Sequence, residues 1–171
     1  MTVIVTLVVV GLLGFWVLAT YSRLIGLRSH VRNAWRHLST QLIRRHDLIP
    51  NLVDTLRGAV GFEPETLESV VAARNRAATA SGPVDAAAKE GELTQALERL
   101  FALVESNPQL TAHEHVRALR EELTSTANKV ELARRSYNDI ATTYNTSTQM
   151  TPARFIAALG NFPRAALFSD R

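Results

Sequence analysis

From Val3 to Ala19 the chain reads VIVTLVVVGLLGFWVLA, a run without a charge and with a single hydroxyl, Thr6. A helix that is apolar on every side belongs in a bilayer or deep inside a large core. Thr20 and Tyr21 extend the run to the ~20 residues needed to cross a bilayer. Trp16 and Tyr21 stand toward its C-terminal end, where amphipathic rings favour the headgroup level, and Arg23, Arg28, Arg32 and Arg36 follow. A cleaved signal peptide would need a basic stretch ahead of the apolar run, and Met1–Thr2 supplies none. Residues 1–22 therefore read as a transmembrane anchor and 23–171 as one helical domain. The positive-inside tendency puts that domain in the cytoplasm and the N-terminus outside, as in a single-pass membrane protein.

The basic charge is unevenly placed. Residues 22–60 hold seven arginines against Asp47 and Asp54, a net of +5, whereas residues 61–171 sum to −2. The arginines follow a helical pattern without an aromatic-rich or glycine-loop nucleic-acid motif, so anionic headgroups are the expected partner of Arg23, Arg28, Arg32 and Arg36, and nucleic acid is not. With no cysteine in 171 residues, disulfide staples and thiolate chemistry are excluded.

Past the span, apolar residues recur in steps of three and four: Leu24, Leu27, Val31, Trp35, Leu38, Leu42, Ile49, Leu52 and Leu56. This predicts one long helix with a buried stripe, ended by Gly58 and Gly61. A second helix is expected from Pro64, with Leu67, Val70, Val71, Ala77 and Ala78 inward. Ser81–Gly82–Pro83 breaks the chain before a third, carrying Leu93, Ala96, Leu97, Leu100, Phe101 and Val104. Asn107 and Pro108 make a cap and first-turn pair. The segment Leu110–Gln149 has neither glycine nor proline and reads as one helix of ~60 Å at 1.5 Å per residue. Thr151 and Pro152 open a short last helix closed by Gly160. No stretch alternates as a strand would, so the fold class is all-α: an antiparallel up-and-down bundle of long helices behind a transmembrane helix.

Polar residues interrupt the stripes. Continuing the heptad through Val31 and Leu38 puts Arg45 where leucine is expected. Glu131, Asn138 and Asn145 are spaced at seven, with Arg134 and Arg135 between, and Tyr137–Asn138 recurs one heptad on as Tyr144–Asn145. If the first and long C-terminal helices are neighbours, Arg45 meets Glu131 or Asn138, and Asn51 meets Asn145. Such a polar seam fixes register more than it adds stability. The alternative is an Arg45 whose stem packs on the stripe while its head reaches water. Pro50 removes an amide donor and crowds the carbonyl of His46, which predicts a kink within one long helix.

The stretches RRHDLIPNLVDTL (Arg44–Leu56), AARNRA (Ala72–Ala77), NPQL (Asn107–Leu110), ARRSYNDIATTYN (Ala133–Asn145) and LGNF (Leu159–Phe162) after Pro152 resemble the LemA family, in this order and at suitable spacing. The resemblance implies a membrane-anchored bundle of long helices with no established enzymatic activity, whose relatives are linked to membrane organisation in bacteria.

The residues themselves offer little chemistry. His113 and His115 are two apart and face different sides of a helix; His30 and His37 are two turns apart; neither pair has metal-ligand spacing. Ser125 and Ser136 lack a glycine elbow, and no phosphate loop occurs. No catalytic residue, metal, cofactor or small-molecule substrate is expected. The reading is a membrane-tethered scaffold or adaptor that contacts lipid, and a protein partner or itself. A sensor whose seam between the first and long C-terminal helices accepts a ligand is the alternative.

Overall fold

The computed structural model describes residues 1–57, 64–150 and 152–169. They form six helices and, among the described residues, no strand: α1 (Thr2–Arg57), α2 (Pro64–Ala78), α3 (Gly82–Ser106), α4 (Pro108–Thr111), α5 (Glu114–Gln149) and α6 (Ala153–Leu159). The expected stop at Gly58 and Gly61, and Thr151, lie outside the described residues.

α1 has 56 residues, about 84 Å at 1.5 Å each. Its apolar first part is exposed, and Leu24 is the first buried side chain. From there the stripe packs on α5 in opposite order. Leu24 shares a cluster with Tyr144; Leu38 and Leu42 with Val130, Ala133 and Tyr137; Ile49, Leu52 and Leu56 with Val116, Leu119 and Leu123. Numbers rise along α1 as they fall along α5. Leu38, Leu52 and Leu56 are wholly buried, each contributing about 2 kcal/mol of transfer free energy. α2 and α3 close the end farthest from the apolar segment, with Val70, Ala73 and Ala77 against Leu93, Ala96 and Leu97. Gly82, at φ +78°, turns the chain between them in a conformation that only glycine takes freely.

The C-terminal half departs from the expected single helix over Leu110–Gln149. Asn107 does cap a helix, its Oδ1 accepting from the Gln109 amide at 3.1 Å, but that helix is the four-residue α4. The chain then turns at Ala112–His113, and His113 adopts extended φ/ψ ahead of α5. The reason is burial: Leu110 and Val116 both lie in one core cluster, and six residues of unbroken helix would set them roughly 120° apart. An extended histidine costs nothing sterically, so no glycine or proline marks the break.

α1 runs through Pro50 as one helix. Pro50 has no N–H for the His46 carbonyl, and a side chain from another helix takes the vacancy: Arg74 Nε of α2 donates to His46 O at 3.3 Å. The defect in α1 is thereby turned into a tie to α2. Arg74→Met should cost about 1 kcal/mol in urea unfolding, within the range for a partly buried group left unpaired. In a Pro50→Ala background, where the new amide can serve His46, the cost of Arg74→Met should shrink. Equal costs in both backgrounds would show that the tie contributes nothing.

Candidate functional site

Two polar constellations occupy the core. The first centres on Glu90 of α3. Its stripe runs Ala86, Glu90, Leu93, Leu97, Leu100, so the carboxylate stands where an apolar residue would. Arg45 Nη1 donates to Glu90 Oε2 at 3.1 Å, and the His46 Nε2 ring nitrogen bonds Oε1. Arg45 Nη2 donates to Thr94 Oγ1 at 3.0 Å, and that hydroxyl donates to the Glu90 carbonyl at 2.9 Å. Arg45, His46 and Glu90 are 8 %, 5 % and 5 % exposed, which decides against a surface-reaching arginine. Both carboxylate oxygens are used, the condition under which a buried ion pair is tolerated.

The seam expected between α1 and α5 is therefore built differently. Arg45 pairs with Glu90 and Thr94, not with Glu131 or Asn138. Asn51 is exposed and does not meet Asn145. Glu131 is held on its own helix, its Oε2 accepting from Arg134 Nε and its Oε1 from Arg135 Nε, both at 2.7 Å. Glu90 was not singled out in the sequence, although the signal existed: it interrupts the α3 stripe as Arg45 interrupts that of α1.

The second constellation uses the repeated Tyr–Asn pairs, and its partner is the chain's own C-terminal segment. Asn138 Nδ2 donates to Phe168 O and its Oδ1 accepts from Phe168 N, both at 2.9 Å. Asn145 does the same with Ala165, both bonds at 2.8 Å. Tyr137 donates to Ala166 O at 2.6 Å and Tyr144 to Pro163 O at 2.9 Å. Burial holds both phenols above their ordinary range, keeping the donor proton. The register follows from geometry: a heptad advances about 10.5 Å along a helix, and three residues of extended chain cover about 10 Å. Pairs seven apart on α5 thus meet residues three apart on the tail. Phe168 then lies against Trp35, ring centroids 6.5 Å apart, and Phe162 sits in the cluster of Leu24 and Tyr144.

Between the constellations a cavity of about 450 Å³ opens among Arg45, Glu90, Thr94, Glu131, Arg134 and Phe168. Its rim carries charges of both signs. Arg23, Arg28, Arg32 and Arg36 are all exposed on α1.

The family model for LemA proteins matches residues 34–170. The chain belongs to the LemA family. No curated protein matches it. The stretches that carry the LemA resemblance prove to be complementary parts of one packing scheme. The Pro50 segment supplies Arg45, His46 and a free carbonyl; AARNRA supplies Arg74; and ARRSYNDIATTYN supplies the clamp for the tail that follows LGNF.

Glu90→Gln should destabilise this LemA protein by about 3 kcal/mol in denaturant unfolding, because it leaves the Arg45 charge buried without its counter-charge. Arg45→Met combined with Glu90→Leu should recover much of that loss; full additivity of the two would sink the pairing. Asn145→Ala should release the tail, so that trypsin cuts after the exposed Arg164 faster than in wild type while far-UV helicity is kept. An unchanged cutting rate would show that the clamp does not hold the tail.

A pH dependence follows from Glu131. The Arg134 hydrogen bond, chiefly, lowers its pKa from 4.5 to about 2. A depressed carboxylate stabilises the fold above its unfolded pKa and is lost as pH falls through the folded one. Stability should decline from pH 4.5 toward 2, and Glu131→Gln should remove a part of less than about 1 kcal/mol, the scale of half-exposed pairs.

Proposed function

We propose that this LemA-family protein is a membrane-anchored helical scaffold or adaptor that works through contacts rather than catalysis. Residues 1–22 form the anchor, and residues 23–171 form an antiparallel up-and-down bundle in the cytoplasm. The observation that carries the reading is α1. An 18-residue window with mean hydropathy 2.6 and no buried share continues without a break into the helix that organises the core. Twelve leucine, isoleucine, valine and phenylalanine residues between Val3 and Leu18, at about −0.5 kcal/mol each, give roughly −6 kcal/mol for insertion.

With no linker, tilt of the span is tilt of the bundle. That suits a part that sets the attitude of a rigid body over a membrane and presents its helix faces to a protein partner or to another copy. The arginines divide by height. Arg23 and Arg28 lie within about 10 Å of Tyr21 along the axis, inside the reach of headgroup charge, while Arg32 and Arg36 lie about 16 and 22 Å away. Arg23 and Arg28 therefore carry most of the headgroup attraction.

The intact protein should stay with membranes after an alkaline carbonate wash and keep its N-terminal residues. A variant carrying Leu12→Arg and Leu13→Arg should move to the soluble fraction, since each arginine adds about 3 kcal/mol at the centre of a span. A soluble wild type, or a mature chain that starts beyond Ala19, overturns the anchor. A reporter fused after Arg171 that works only on the outer side overturns the orientation.

The cavity beside Arg45, Glu131 and Arg134 supports a second reading, a membrane-tethered sensor with a small zwitterionic ligand. Ala127→Phe, which fills the cavity from α5, should abolish ligand-dependent thermal shifts in a metabolite screen. Shifts that persist would place binding elsewhere.

A further inference from the structure

α6 and the end of α5 do not sit at the far side of the bundle from the apolar segment; they lie beside it. A cavity of about 290 Å³ is walled by Trp16, Thr20 and Leu24 of α1 and by Met150, Pro152 and Ala153. Tyr21 meets Phe162 edge to face, ring centroids 5.6 Å apart at 80°. A β-carbon on Gly160 would come within 2.5 Å of the Phe162 ring and 3.1 Å of the Tyr21 ring, so the approach depends on glycine. α6 is thereby held level with the last turns of the span.

Its inner side is satisfied: Ala157 is buried and Ile156 packs on the Leu24 cluster. Its outer side is not. Phe155 and Leu159, one turn apart, are 67 % and 90 % exposed, and nearby Met150 is 61 % exposed. Large apolar groups bared in this way on a short helix mark a surface that meets something. What it meets is set by height and charge. Residues 140–168 contain Arg154 and Arg164 and no carboxylate, and none occurs in residues 1–46. The whole membrane-proximal end is thus positive or neutral, as an anionic bilayer surface requires.

We propose that α6 inserts Phe155 and Leu159 into the headgroup–acyl boundary of the bilayer that holds α1, as a second membrane contact beside the span. This rests on the anchor reading. The span alone leaves the bundle free to rotate about the axis of α1 and to tilt. An apolar wedge off that axis, rigidly joined through Tyr21, Phe162 and Gly160, fixes which side of the bundle faces the membrane. A helix seven residues long has too little apolar area to bind lipid by itself, so it acts only because α1 brings it to the boundary.

The chain has no cysteine, so single thiols can be introduced and labelled with an environment-sensitive fluorophore in the full-length protein. The protein is placed in nanodiscs of phosphatidylcholine and phosphatidylglycerol. Phe155→Cys and Leu159→Cys probe α6, Leu18→Cys probes the span, and Gln109→Cys probes α4 at the distal end. Both α6 positions are exposed, so these changes leave the core intact. Expected is blue-shifted emission at 155 and 159, quenched by brominated lipid and protected from iodide, as at 18, with the reverse at 109. Lipid quenching at 18 while 155 and 159 behave like 109 overturns the wedge and leaves the anchor standing. Protection of 155 and 159 from both quenchers means that protein covers the face, which also overturns the wedge. Iodide quenching at 18 removes the anchor and the wedge together.

Discussion

α1 has no break between Thr2 and Arg57, and α2, α3, α5 and α6 all take their positions from it. α5 lies along the stripe from Leu24 to Leu56, α2 holds the backbone at His46, α3 holds the side chains of Arg45 and His46, and α6 rests near Tyr21. A continuous hydrogen-bonded helix does not tolerate a flexible joint. Pro50 could have made one, because it deprives the His46 carbonyl of its partner. The bond from Arg74 shows how the fold absorbs that weakness.

Buried polar groups then decide how the elements align. Apolar stripes alone would let two long helices slide by a turn at small cost, since leucine against leucine is much the same one step along. Glu90 cannot slide, because a shift would strand its charge among apolar side chains. Nor can Asn138 and Asn145, each donating to the C=O and accepting from the N–H of a single tail residue. These contacts add less net stability than the leucines and specify more. They also line an open, charged cavity of about 450 Å³ between α3 and α5, where register control and any ligand recognition would share the same residues.

Much of this is legible in the sequence. The helix stripes, the break at Ser81–Pro83, the cap at Asn107 and the anomaly of Arg45 follow from periodicity and local chemistry. The turn at Ala112–His113 was not legible, because an extended histidine leaves no mark in composition. The polar seam was half legible. The spacing of seven in Tyr137–Asn138 and Tyr144–Asn145 announced a repeated interaction, but an asparagine amide bonds a backbone as readily as a side chain, and the tail residues Ala165 and Ala166 carry no side-chain signal. Glu90 interrupts the α3 stripe, but its neighbours there are alanine, lysine and glycine, so the stripe it breaks is faint in the sequence.

By itself, the sequence determined an all-helical chain, an N-terminal apolar helix long enough for a bilayer, the helix faces that turn inward, and membership of the LemA family. Those properties depend on neighbours three, four or seven residues away, which the chain carries with it. The tertiary structure alone decided that Arg45 pairs with Glu90, that Arg74 repairs the gap left by Pro50, that the Tyr–Asn pairs hold the tail, and that α6 lies beside the apolar segment. Those depend on which surfaces meet across separations of 19 residues (Tyr144 to Pro163) to 141 residues (Tyr21 to Phe162), and a pairing between distant groups is chosen by the packing of everything between them.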